Sequence, residues 1–306
     1  MAQKAAGMIV SASYRTDIPA FYTPWLLERL AAGACLVANP YGGQDYRVSL
    51  APGAVDAFVF WTRNLGPLLP ELGRVAALAP FAVQFTLTGY PRALEPGVIA
   101  PEAALKQLRV VRERWGPRAA VWRYDPLLVS SLTPPDWHRA NFATLAQALA
   151  GGVDEVVVSF VEPYRKTARN LDAAARRHGF TWRDPPLEEK RALATELAAI
   201  AAGHGMRLTL CTQPQLVGCG LAPARCIDAQ RLAEIAGRPL AAREKGNRPG
   251  CLCAESRDIG AYDSCAQGCA YCYAVAGHDA ARRRLKAHDP QAARLAAPSS
   301  DARRAG

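Results

Sequence analysis

Ala119-Ala-Val-Trp-Arg-Tyr-Asp-Pro126, the stretch opened by Thr133-Pro134 and closed at Gly151, and Glu155-Val-Val-Val-Ser-Phe160 form one unit of this chain. An apolar run ends in polar residues, a helical pattern follows, and a second apolar run succeeds it. Strands apolar on both faces are buried on both faces, as parallel strands crossed over by helices are. The unit recurs in both directions from here. Further runs fall at 8–13, 35–38, 57–61, 82–87 and 207–211. Helices between them carry starts and stops: Thr23-Pro24 to Gly33, Pro101 to Gly116-Pro117, and Pro186 to Gly203. Seven such units predict an α/β fold, a partial or near-complete βα barrel rather than a short doubly wound sheet.

The strand ends are polar, and in barrels that end carries the active site. Two of them place a cation beside a carboxylate: Arg15 with Asp17, and Arg123 with Asp125. These four are the candidate catalytic residues, able to grip a carboxylate, a phosphate or a cofactor, or to form a network of ion pairs at the barrel mouth. Gln84 and Thr86 share one face of their strand, and Ser159 ends another; these are the candidate cofactor-binding residues. Tyr164-Arg165-Lys166 reads as a solvated basic spot. A metal-free hydrolase using Asp17 and Asp125 finds no support, because no Gly-x-Ser-x-Gly or His-Glu-x-x-His pattern occurs.

Composition narrows the class. The chain has 306 residues, half of them hydrophobic and 21% charged, enough for a sizeable core. No apolar run approaches a membrane span, and Met1-Ala-Gln-Lys-Ala-Ala-Gly7 leaves no room for a secretory leader, so a cytoplasmic protein without membrane contact is expected. The net charge is +10. After Ala281 seven basic residues stand against Asp289 and Asp301, so half of that excess lies in the last stretch. Charge alone therefore does not establish nucleic-acid binding. The expected organisation is a barrel core at 8–211, a cysteine-rich segment at 212–278 and a flexible basic tail at 279–306.

Eight of the nine cysteines lie after residue 210. Cysteines used as small core hydrophobes would scatter, and a reducing compartment disfavours disulfides. Cys265-Ala-Gln-Gly-Cys269-Ala-Tyr-Cys272 has a C-x3-C-x2-C spacing. Three thiolates on one short loop can hold a cubane iron–sulfur cluster and leave one iron open. The other reading is a zinc knuckle with a fourth ligand such as His278. Cys211, Cys226, Cys251 and Cys253 form a second set, suited to a second cluster, a zinc ion or no metal. Cys219, between Gly218 and Gly220, is left out of it.

The cysteine loop closely resembles the radical SAM signature. Further segments extend the likeness: Ser13 to Tyr22, Val59 to Asn64, Gln84 to Thr88, Trp122 to Pro126, Cys226-Ile-Asp228, and Asp258 through Ala274. Together they resemble the domain-of-unknown-function 1848 family, whose members are often labelled DNA-repair-photolyase-like radical SAM proteins, over roughly residues 8–275. The resemblance implies a radical-SAM-type βα barrel with a C-terminal cluster-binding segment. It implies a [4Fe–4S] cluster on Cys265, Cys269 and Cys272 that binds S-adenosylmethionine (SAM) and cleaves it reductively to a 5′-deoxyadenosyl radical for hydrogen abstraction. It also suggests Cys211, Cys226, Cys251 and Cys253 as an auxiliary cluster, and an electron donor such as a flavodoxin or ferredoxin. The substrate, whether small molecule, peptide or nucleic acid, stays open. In the wider superfamily the loop follows the first strand, whereas here it follows all seven expected ones, which a circular permutation would reconcile. The competing class is a non-enzymatic zinc- or cluster-stabilised module that binds nucleic acid or a partner.

Overall fold

The structure is a computed structural model that describes residues 7–39, 44–218 and 220–296. Its strands are β1 (Met8–Ala12), β2 (Ala34–Val37), β3 (Tyr46–Ser49), β4 (Val55–Thr62), β5 (Phe81–Thr86), β6 (Ala120–Arg123), β7 (Val129–Ser130), β8 (Glu155–Val158), β9 (Trp182–Arg183), β10 (Arg207–Leu210), β11 (Ala222–Pro223) and β12 (Ser256–Asp258). Eight of them make one sheet in the order β11-β10-β8-β6-β5-β4-β1-β12. Every neighbouring pair in it is parallel. The order runs steadily along the chain except at one edge, where β12 lies against β1 with Ser11 opposite Asp258.

Alternation along the strands divides the side chains between two faces. Phe58, Phe60, Phe81, Val83, Phe85, Trp122, Val156 and Leu208 pack with helix residues Leu26, Val75, Leu108, Phe142 and Leu197. The other face is lined by smaller groups, Ala57, Val59, Ala82, Val121 and Val157. These meet Cys211, Cys226, Ile227, Leu232 and Cys253. The small side chains leave room for the cysteine-bearing segment to lie directly on the sheet. That segment includes the helix Ala229–Ala236, whose start is fixed by the Asp228 side chain accepting from the amides of Gln230 and Arg231.

Two expectations are corrected. Run 35–38 does not enter the main sheet. As β2 it pairs antiparallel with β3, and its alternating burial is that of a strand covered on one face only. Residues 279–296 are mostly exposed but are not a flexible tail. His278–Lys286 is a helix. Beyond it, Ala292 carbonyl accepts from the Trp25 indole at 2.9 Å, Ala293 carbonyl accepts from Leu36 N–H at 2.9 Å, and Leu295 is buried. The chain there satisfies the free edge of β2 and covers Trp25, so it folds despite its charge. The last ten residues of the expected tail and Cys219 lie outside the described residues. Among the described residues no helix is long and apolar enough to cross a membrane.

Candidate active site at the carboxyl ends of the strands

The strand ends open into a cavity of about 440 Å³, within the roughly 300–1,000 Å³ typical of small-molecule sites. Cys265, Cys269 and Cys272 all line it, together with Arg15, Asp17, Arg63, Thr86, Arg123, Asp125, Ser159 and Arg248. The loop between β12 and the helix His278–Lys286 thus delivers three thiols to one space.

Two buried polar networks hold that loop in place. Asp258, at the end of β12, accepts from Ser11 and Ser13 hydroxyls at 2.7 Å and from the amides of Tyr14 and Gly260 at 3.0 Å. Arg15 lies 3.6 Å from the same carboxylate. A Cβ at Gly260 would fall 2.0 Å from Ser13 Oγ, so only glycine lets the two segments approach. On the far side of the loop Arg63 donates to Glu95 and to Tyr271 Oη, both at 2.7 Å. Tyr271 in turn donates to Glu95. Thr88 donates to Glu95 at 2.6 Å. Gly97 N–H donates to Gln267 carbonyl at 3.0 Å, and a Cβ at Gly97 would sit 2.5 Å from that oxygen.

Asp17 serves the same frame. It caps the helix Ile18–Phe21, accepts from Thr62 at 2.7 Å and Arg63 N–H at 2.9 Å, and receives Gln267 Nε2 at 2.9 Å. Arg15 and Asp17 both line the cavity but do not bond each other, because each has another partner: Arg15 the Asp258 carboxylate, Asp17 the Thr62 hydroxyl, the Arg63 amide and the Gln267 side chain. The other pair does form. Arg123 bonds Asp125, whose other oxygen accepts from Ser159.

Burial raises all three loop thiols. Cys265 is raised furthest, with the Asp17 carboxylate adding to the effect, and Cys269 is pushed up to about 12 against the pull of Arg63. A thiolate there needs a cationic partner, which a metal cluster supplies. Gln267 Oε1, buried on the same loop and lining the cavity, has no hydrogen-bond partner. The soft three-thiol set, the glycine cradle and the orphaned oxygen fit a bound cluster. His278, the fourth ligand of the zinc reading, lies outside the cavity lining.

The second cysteine set is brought together one layer below. Cys226 and Cys211 sulfurs are 3.5 Å apart, and Ile227 N–H donates to Cys253. Cys251 hydrogen-bonds Cys253, which draws its thiol down to about 6. Contacts run from Cys211 to Cys226, from Cys226 to Cys253 and from Cys253 to Cys251, and no three His, Cys, Asp or Glu side chains among the described residues take the arrangement of a single bound ion. Two arginines cap this set from the cavity side: Arg123 Nη1 is 3.1 Å from Cys226 Sγ, and Arg248 Nη2 is 3.9 Å from Cys211 Sγ. Gln84 does not reach the cavity. It donates to Cys226 carbonyl at 2.7 Å and accepts from Arg123, so it holds the second set rather than a ligand. Thr86 and Ser159 line the cavity.

Sequence reasoning missed Glu95, Gln267, Tyr271 and Arg248 as parts of this site. Tyr271 and Gln267 lie inside the cysteine motif, where spacing alone hinted at them; Glu95 and Arg248 sit in loops with no periodic signal.

No curated protein matches this sequence. Among solved structures, a dihydropyrimidinase from Brevibacillus agri aligns with a TM-score of 0.31 and 14% identity, covering 75% of this chain and 44% of that one. This chain therefore spans less than half the length of that enzyme. The family model described as Domain of unknown function (DUF1848) matches residues 9–274, from β1 to just past Cys272, and the chain belongs to that family.

Proposed function

We propose that this protein is a radical SAM enzyme. The observation that carries the reading is the convergence of Cys265, Cys269 and Cys272 on one cavity at the carboxyl ends of parallel strands. The sheet order supports a partial βα barrel with a permuted start. β12, last in the chain, stands first in the sheet beside β1 and leads directly into the cysteine loop. On this reading 8–211 is the barrel, 212–278 the cluster segment, and Cys211, Cys226, Cys251 and Cys253 hold a second cluster.

When bound, a cluster with an open iron supplies reductive cleavage of SAM, with electrons from a flavodoxin- or ferredoxin-like donor, and a radical able to take hydrogen from substrate. The chain's own residues do the rest. Arg63, Glu95, Tyr271 and Asp17 fix the loop from two sides, so the thiols hold their places without the metal. Arg123, pinned by Asp125 and Gln84, keeps positive charge between the two cysteine sets. Ser159 and Thr86 offer hydroxyls from the wall to a ligand.

The test is iron and acid-labile sulfide per chain after anaerobic reconstitution, followed by 5′-deoxyadenosine release from SAM under a strong reductant. Roughly eight of each matches two cubanes, and roughly four matches one. Cys265→Ala, Cys269→Ala and Cys272→Ala are each expected to abolish release. Stoichiometric zinc with no SAM affinity would replace this reading with a metal-stabilised binding module.

A further inference from the structure

The helix Arg165–His178 begins against the grain of its own electrostatics. Its first turn carries Arg165 and Lys166 and no acidic residue, and Tyr164 offers no side-chain cap. A helix N-terminus has a positive partial charge and three free amides, so cations there are unfavourable and anions favourable. The first intrahelical bond runs from Ala168 N–H to Tyr164 carbonyl, which leaves the amides of residues 165–167 ahead of it.

This end of the helix faces the cavity, since Tyr164 and Thr167 both line it. Thr167 is 1% exposed, yet its hydroxyl has no hydrogen-bond partner. A buried hydroxyl left unpaired is costly, and a bound acceptor removes that cost. Arg248 lines the same space and approaches Tyr164 and Cys211. The other cavity arginines are each held by a carboxylate: Arg15 by Asp258, Arg63 by Glu95, Arg123 by Asp125. Glu162, the carboxylate nearest this turn in sequence, is exposed and lines the cavity.

We infer that the first turn of the helix Arg165–His178, with Thr167 and Arg248, is an oxyanion seat for the carboxylate or phosphate group of a small-molecule substrate. The seat itself needs only geometry, while its assignment to substrate rather than to SAM rests on the radical SAM reading. It lies on the wall formed after β8, and the same helix bonds the thiol-bearing loop after β12 through Arg169 and Asn170 to the carbonyls of Ala276 and Val275, so an anion held here sits in the cavity beside that loop. Arg165 and Lys166, exposed in the same turn, add attraction.

Inorganic phosphate is the probe. Equilibrium dialysis of radiolabelled phosphate against the reconstituted protein is expected to show one saturable site, roughly millimolar. Arg248→Gln should weaken it about tenfold and Thr167→Val several-fold. The valine variant keeps the shape and removes an unpaired hydroxyl, so its Tm should stay level or rise, which separates lost binding from lost folding. SAM dissociation constants are measured on the same samples and should not move. Absence of a saturable phosphate site, or equal affinities in wild type and both variants, overturns the seat. A parallel tenfold fall in SAM affinity assigns the seat to the cofactor and overturns the substrate claim. Phosphate binding that persists in protein unable to load iron would sink the radical SAM reading and leave the seat standing.

Discussion

Asp258→Ala removes one carboxylate and leaves four donors facing the hole: Ser11 and Ser13 hydroxyls and the amides of Tyr14 and Gly260. All lie where β12 meets β1, and Asp258 itself is buried. Each unpaired buried donor costs about 1–3 kcal/mol. The serines can rotate toward other acceptors and water can enter the space, so the sum is discounted to ~4 kcal/mol. Asp258→Asn keeps one acceptor oxygen, introduces a donor where donors already crowd, and should cost ~2 kcal/mol. Burial raises the Asp258 carboxyl above its usual range, so part of the charged form's benefit is already offset by desolvation. The assay is urea unfolding of iron-free protein, so that cofactor binding does not enter the balance. Iron per chain after reconstitution is then measured separately. The alanine variant should lose both stability and iron, because β12 is the strand that carries the Cys265 loop. Both variants falling within 1 kcal/mol of wild type, with normal iron, would refute the claim that Asp258 docks the loop.

Gly97→Ala should lower iron loading more than stability: its Cβ would press on Gln267 carbonyl at 2.5 Å, a local overpacking worth ~1–3 kcal/mol, and unchanged iron content would count against it. Arg123→Leu leaves Asp125 without its cation and should destabilise by ~3 kcal/mol; Arg123→Leu combined with Asp125→Asn should recover part of that, and strict additivity in the double-mutant cycle would deny the coupling. His138, buried between Tyr124 Oη and Leu128 carbonyl, each at 3.0 Å, is lowered by burial from 6.5 to about 4. The unfolded chain binds this proton first, so up to ~3 kcal/mol of stability should be lost as pH falls from 6.5 toward 4, and none above 6.5; a His138→Gln profile parallel to wild type over that window would contradict it.

The fold was legible where side chains repeat. Strands β4, β5, β6, β8 and β10 are apolar on both faces, and that continuity is what a buried parallel strand requires. β12 was not legible, because Ser256-Arg257-Asp258 has no apolar run and enters the sheet through the bonds of Asp258. β2 was legible as a strand but not as to its partner, since four residues carry no information about which edge they meet. The helix Arg165–His178 escaped because its basic first turn breaks the rule by which helix starts are found. In the site, the three loop cysteines and the Arg123–Asp125 pair are sequence neighbours whose spacing implies contact. Arg15 and Asp17 both line the cavity, yet each bonds its own buried partner rather than the other, which adjacency in sequence does not decide.

The two cysteine sets are tied to different parts of the fold, and this shapes what either can do. The loop set hangs from β12 and is clamped by Arg63 at the end of β4 and Glu95 in the loop after β5. The second set lies on the small-residue face of the sheet, where Gln84 holds Cys226 from β5 and Arg123 reaches it from β6. A polar residue on that face is costly unless it is bonded, and both are fully used. Arg123 touches the second set and lines the cavity at once, as Arg248 and Thr212 do at Cys211, and its charge is shared between a sulfur and Asp125. Any anion entering the cavity near Asp125 must therefore alter how much of that guanidinium the Cys226 sulfur receives. An anion in the cavity and the electrostatics of the second set are thus coupled through the cations that touch both, Arg123 and Arg248.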